Sequence, residues 1–276
     1  MKYGINTFLW TAGFDESHVP LLPRIKQMGF DGAELARFSF HDCPAAPIRR
    51  ALEANQLEAT FCTALTGKQS LANENAPETI AFLKDAIHWA SEVGAKVMAG
   101  PFCSAVGYLP GRRRTSDEWN RALDGIRALT PTLEETGVTL AVEPLNRFET
   151  FFLNTAEDAR ALCEAVDHPQ VGILFDTFHA NIEEKSVGPA IETVGRYVKH
   201  VHTCENDRGT PGSGHVQWAE LFRSLEKLRY DEWLVIESFG SAIPEIAAAA
   251  CIWRDLAASP EALAEEGLRF LKSQRG

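Results

Sequence analysis

Four short runs rich in apolar residues occupy the second half of the chain, and each closes on an ionisable side chain. They cover residues 138–143, 171–176, 197–202 and 233–237, and they end on Glu143, Asp176, His202 and Glu237. A strand buried on both faces reads as such a run, because helices cover a parallel sheet above and below. The closing residues lie roughly 30 positions apart, which is room for a crossover helix and its two loops. A charged group at the end of a buried strand is costly unless something neutralises it. The pattern therefore constrains architecture and chemistry together.

The first half continues the alternation. Strand signals fall at residues 3–7, 32–35, 57–64 and 95–99, with amphipathic stretches such as 77–93 between them. Eight strands alternating with helices predict an α/β fold, a (β/α)8 TIM barrel in one domain spanning residues 1–276, over an open doubly wound sheet. No Gly-x-Gly-x-x-Gly follows the first strand, so a dinucleotide fold lacks its usual support. Thr155 ahead of Ala156-Glu157-Asp158 marks a helix start, and Ser116 ahead of Asp117-Glu118 opens a helix expected to run to Thr136, where Gly137 can close it. In such a barrel the C-terminal strand ends converge on one mouth, where active sites sit. Three carboxylates and one imidazole gathered there suit a divalent metal that takes oxygen and nitrogen ligands.

Charge narrows the partners. A formal net charge of −11 argues against nucleic acid or an anionic membrane surface. No apolar stretch approaches the roughly 20 residues that span a bilayer, and residues 1–10 read as the first strand rather than a signal peptide. A cytoplasmic protein is expected. The six cysteines form no Cys-x-x-Cys pair and fit reduced thiols; Cys62 and Cys204, near strand ends, either line the mouth or pack as small apolar residues. Two longer loops, 101–114 and 205–215, belong to the same face. Arg112, Arg113 and Arg114 in the first are read as a solvated cluster or a phosphate grip, and Glu205 and Asp207 in the second as solvated. His200 shares a strand face with His202 one layer deeper, which places it in the core or behind a ligand.

The flanking segments carry more. They are Glu143-Pro144-Leu145-Asn146-Arg147-Phe148-Glu149, Asp176-Thr177-Phe178-His179-Ala180-Asn181-Ile182-Glu183-Glu184, the His202-x-x-Glu205-x-x-Arg208 spacing, and Val235-Ile236-Glu237-Ser238-Phe239. In these motifs the chain resembles the ketose 3-epimerases, the D-tagatose, D-allulose (psicose) and L-ribulose 3-epimerases of the xylose isomerase-like TIM-barrel superfamily. Gly29-Phe30-Asp31 and Ile252-Trp253-Arg254-Asp255-Leu256 extend the resemblance over nearly the whole chain.

The resemblance implies that Glu143, Asp176, His202 and Glu237 hold a divalent metal, Mn²⁺ foremost with Co²⁺ or Mg²⁺ as alternatives. It implies that Glu143 and Glu237 are the acid/base pair, that Glu149, His179 and Arg208 hold the sugar oxygens near carbons 1 to 3, and that the chain forms a homodimer or homotetramer. The implied reaction is epimerisation of a free ketose at carbon 3 through a metal-stabilised cis-enediolate, with D-allulose/D-fructose, D-tagatose/D-sorbose or L-ribulose/L-xylulose as substrate pairs. Such a reaction needs proton exchange on both faces of carbon 3, which two carboxylates on opposite sides of a barrel mouth can provide. The alternatives are an aldose–ketose isomerase of the hydroxypyruvate isomerase kind, a 3-keto-glycoside epimerase, and a sugar-binding barrel without catalysis. The endonuclease IV branch of the superfamily is disfavoured by the acidic charge. Pro144, Ala180 and the loop 206–215 depart from the better-known members. Phe8, Trp10, Cys62, Tyr108 and Phe239 are expected at the distal end of the sugar, an apolar wall that predicts tolerance among ketoses.

Overall fold

The computed structural model describes residues 1–274; Arg275 and Gly276, the last two of the expected domain, lie outside the described residues. Eight strands close into one parallel barrel in chain order: β1 (Lys2–Asn6), β2 (Gly32–Ala36), β3 (Glu58–Cys62), β4 (Val97–Gly100), β5 (Thr139–Val142), β6 (Val171–Asp176), β7 (Val198–Thr203) and β8 (Trp233–Ile236), which pairs back with β1. The eight strand signals fall on these strands to within two residues at most ends. The helices are α1 (Leu21–Met28), α2 (Ala45–Ala54), α3 (Ala76–Val93), α4 (Ser116–Arg127), α5 (Thr130–Thr136), α6 (Ala156–Val166), α7 (Thr177–Glu183), α8 (Val187–Val194), α9 (Trp218–Lys227), α10 (Pro244–Ala249) and α11 (Pro260–Ser273). Among the described residues no helix is long and apolar enough to cross a membrane.

The main core lies between strands and helices, as alternation along each strand requires. Ile5, Leu35, Phe61, Leu140, Ile173 and Leu234 face outward into it, while Val97, Ala99, Ala141 and Leu174 form a separate small cluster inside the barrel. Two backbone details place the site. A register shift between β6 and β7 at Ile173/Leu174 sets Asp176 directly opposite His202. At the end of β4, Gly100 takes φ +147°, and a Cβ there would stand 1.9 Å from the Thr63 carbonyl oxygen. Only glycine lets the backbones pass so closely, and the Gly100 carbonyl then accepts the Glu143 N–H at 2.8 Å.

Between 116 and 136 the structure corrects the expected single helix. Thr115, not Ser116, is the N-cap, with a full capping box to Glu118. The helix then breaks at Ala128 and Leu129, and α5 restarts with Pro131 in its first turn. A proline there has no N–H for the preceding turn and its ring crowds the carbonyl four residues back.

Candidate active site and metal centre

The ends of β5, β6, β7 and β8 bring Glu143, Asp176, His202 and Glu237 together at the mouth. One potential ligand atom from each lies within 4.8 Å of all the others, and all four residues are buried. Asp176 divides its carboxylate: Oδ1 caps α7 by accepting the N–H groups of Phe178 (2.6 Å) and His179 (3.0 Å), while Oδ2 faces His202 Nδ1 at 3.8 Å. A strand-end Asp thus caps the next helix and still presents an oxygen to the cluster. Glu237 Oε2 accepts from Arg208 Nη1 at 2.9 Å and lies 3.3 Å from His202 Nδ1.

The electrostatics ask for a cation. Burial first, then the neighbouring Glu237 and Asp176 charges, push the Glu143 carboxyl well above its usual range. Burial also raises Asp176, with Glu237 adding to the effect against the pull of Arg208 and His202. Burial acts to raise Glu237 as well, but His202 and Arg208 outweigh it and the group is lowered. Glu143 Oε1 and His202 Nδ1 are buried polar atoms with no hydrogen-bond partner among the described residues, although such atoms are normally satisfied. Three carboxylates and a pyridine-type nitrogen are a donor set for Mn²⁺, Co²⁺ or Mg²⁺, so the residues fit the expected metal.

Glu149, His179 and Arg208 surround the same spot. The Asn146 backbone N–H donates to His179 Nδ1 at 3.0 Å, so the neutral ring carries its hydrogen on Nε2. Burial, then the Arg208 and His202 charges, keep this imidazole well below its usual range. Arg208 Nη2 stands 3.0 Å from that Nε2. Two donors converging in this way suit an oxygen-bearing ligand that accepts from both. Arg208 itself has φ +67° and its guanidinium lies 4.2 Å and 5.0 Å from the ring centroids of Phe178 and Phe239. Glu149 Oε1 accepts from Asn146 Nδ2 at 2.8 Å and lies 3.8 Å from Arg208.

A pocket opens over these groups, and its lining includes Phe8, Cys62 and Phe239. Trp10 and Tyr108, also expected there, are engaged elsewhere: Trp10 Nε1 donates to Glu261 at 3.1 Å, and Tyr108 packs edge-on against Phe151. Phe38 and Ile246 complete the wall and carried no signal in the sequence. Cys204 is buried behind Asp176, its thiol 3.8 Å from both carboxylate oxygens. Arg112 and Arg114 are paired with Glu118 and Asp158 rather than turned to a ligand.

Glu205 requires a correction. Expected to be solvated, it is fully buried and accepts from Trp218 Nε1 (2.6 Å), the Gly212 N–H (2.8 Å) and the Val216 N–H (3.2 Å). The loop folds around this carboxylate because its backbone donors have no other partner inside the protein. Asp207 sits nearer the surface, paired with Arg254 at 2.9 Å. Glu205→Ala strands these donors, so we expect a loss of about 3 kcal/mol in stability, measurable by urea denaturation.

The comparisons follow the geometry. Residues 22–274 match the family described as xylose isomerase-like TIM barrel. A probable ketose 3-epimerase from Synechocystis sp. is 38% identical over 275 residues, 99% of this chain and 96% of the relative. The chain belongs to the ketose 3-epimerase family. A D-psicose 3-epimerase from Ruminiclostridium cellulolyticum is 28% identical, covering 93% of this chain and 90% of its own. Among solved structures, an L-ribulose 3-epimerase superposes with a TM-score of 0.93 at 28% identity, covering 99% of this chain and 94% of that one. The chain carries its ionisable cluster at the C-terminal mouth of a closed barrel.

Proposed function

We propose that this protein interconverts free ketoses at carbon 3, using Glu143 and Glu237 as the two acid/base groups. The observation that carries the reading is their placement. The two carboxylates come from β5 and β8, different sides of the barrel, yet reach within 4.8 Å of a common cluster with Asp176 and His202. A divalent cation held by Glu143, Asp176, His202 and Glu237 would act as a Lewis acid on the ketone oxygen and its neighbouring hydroxyl. One carboxylate removes the carbon-3 proton from one face, and the other returns a proton to the opposite face. The N–H groups of His179 and Arg208 bind the oxygen that gains charge, which is stabilisation by donors already in place. Glu149, held by Asn146, orients a hydroxyl near carbon 1.

The pocket is polar at this end and apolar beyond it. Phe8, Phe38, Phe239 and Ile246 exclude water without reading individual hydroxyls, so we expect several ketoses to be accepted. The test is turnover of D-allulose, D-fructose, D-tagatose, D-sorbose and L-ribulose with Mn²⁺ in deuterated water, followed by NMR. A carbon-3 epimer carrying deuterium at carbon 3, lost on chelation, is the expected result. Aldose formation would reassign the chain as an isomerase, and turnover confined to 3-keto-glycosides would move it to glycoside epimerisation.

A further inference from the structure

Glu34 lies in the middle of β2 among Gly32, Ala33, Leu35 and Ala36, and it is fully buried. A buried carboxylate is expensive, and apolar residues commonly replace one without loss of stability. This one is saturated with donors from three other strands. Its Oε1 is 2.7 Å from His202 Nε2 and accepts from Asn6 Nδ2 at 3.0 Å; its Oε2 is 2.8 Å from His200 Nε2 and accepts from Thr60 Oγ1 at 2.9 Å. The same Asn6 amide reaches on to Glu237 Oε1 at 3.3 Å. One side chain therefore touches His202 directly and Glu237 through a single intermediary.

The consequence lies in which nitrogen of His202 is left over. A carboxylate only accepts, so the hydrogen between it and His202 belongs to Nε2. The lone pair of the neutral ring then sits on Nδ1, the atom 3.3 Å from Glu237 and 3.8 Å from Asp176 that has no hydrogen-bond partner. His200 is held in the same way, its Nε2 on Glu34 and its Nδ1 unpartnered, so it fills the second oxygen of Glu34. Because Glu34 bridges both rings, neither His202 nor the carboxylate can turn without breaking several buried bonds.

We propose that Glu34 is a positioning residue for the metal centre, fixing His202 with Nδ1 towards the cation and, through Asn6, steadying Glu237. This rests on the reading that Glu143, Asp176, His202 and Glu237 hold a divalent metal. Glutamine at position 34 keeps the shape but presents one amide NH₂ to a ring N–H. Facing His202, that NH₂ forces the ring hydrogen onto Nδ1, where it blocks the ligand; facing His200 and Thr60, it leaves His202 only a neutral amide oxygen, a weaker acceptor that makes Nδ1 a poorer donor to the metal. Partners of this kind behind a ligating histidine typically change metal affinity 10- to 100-fold.

The test is calorimetric titration of Mn²⁺ into chelator-stripped protein, with thermal melting of the metal-free forms alongside. Glu34→Gln is expected to bind Mn²⁺ about 10- to 100-fold more weakly, its metal-free form melting lower because a buried donor loses its acceptor but still in one transition, and Glu34→Asp, which keeps the acceptor, to fall between. Equal affinity in wild type and Glu34→Gln overturns the proposal. Failure of the wild type itself to bind Mn²⁺ overturns the metal-centre reading instead. A second measurement needs no variant: nitrogen NMR of the Mg²⁺-loaded protein should find the His202 hydrogen on Nε2, and finding it on Nδ1 sinks the idea even if the variants do not fold.

Discussion

Glu237→Gln is expected to abolish interconversion of the two epimers while leaving one half of the chemistry running. An amide of the same shape cannot take or return a proton, and loss of a positioned general acid or base costs roughly 10²- to 10⁴-fold in kcat. Its surroundings favour a folded variant. Arg208 Nη1, Asn6 Nδ2 and the Cys62 thiol all point hydrogens at Glu237, so the glutamine oxygen can keep the Arg208 bond and only the weaker contacts on the other oxygen are lost. With Glu143 intact, one epimer of a pair should still exchange its carbon-3 hydrogen with deuterated water, and the other should not. Glu143→Gln should reverse which epimer exchanges. Metal content is measured in both variants at saturating Mn²⁺, because both side chains are also proposed ligands. Interconversion at the wild-type rate in either fully loaded variant would sink the assignment of that residue.

The placement of these carboxylates was legible in the chain because each closes a strand, and strand order in a barrel translates into position around the mouth. Asp176 and His202 were legible for the same reason, even though their direct opposition depends on a register shift that no sequence pattern announced. Glu34 was not. A single acid inside a strand signals only that something must satisfy it, and its partners His200 and His202 lie on a strand far away in sequence. Glu205 was misread for a related reason. A carboxylate in a Gly- and Pro-rich loop is ordinarily solvated, and only the folded loop shows that three inward N–H groups converge on it. The break before α5 follows from Pro131, inside a span that the start signal at Ser116 and the closing Gly137 mark as one helix. The pocket wall was half legible: Phe8 and Phe239 flank strand ends, whereas Ile246 arrives from α10, a helix whose docking over the mouth is a tertiary event.

Chelating the metal should lower turnover and stability together, and the coupling is the informative part. Lewis-acid stabilisation of the developing charge is worth several kcal/mol, so removal should cost at least about 10³-fold in rate, one decade for each 1.4 kcal/mol. The stability effect has a separate origin. Glu143, Asp176 and Glu237 crowd one buried spot, and burial together with mutual repulsion raises Glu143 and Asp176 above their usual range. A cation that binds only the folded arrangement relieves this, and at 100 times its Kd it stabilises by about 2.7 kcal/mol. For a chain of this size that corresponds to a rise of roughly 5 °C in Tm. Titrating Mn²⁺ into stripped protein while following both melting and carbon-3 exchange should return one Kd: exchange saturates around it, and melting climbs with the logarithm of metal concentration above it. Asp176→Asn should shift both to higher metal concentration, since it removes a ligand charge without removing either proposed acid/base group. Turnover that survives chelation unchanged would mean that the carboxylates act without a cation. A melting shift with no matching change in turnover would locate the metal away from the reacting carbon.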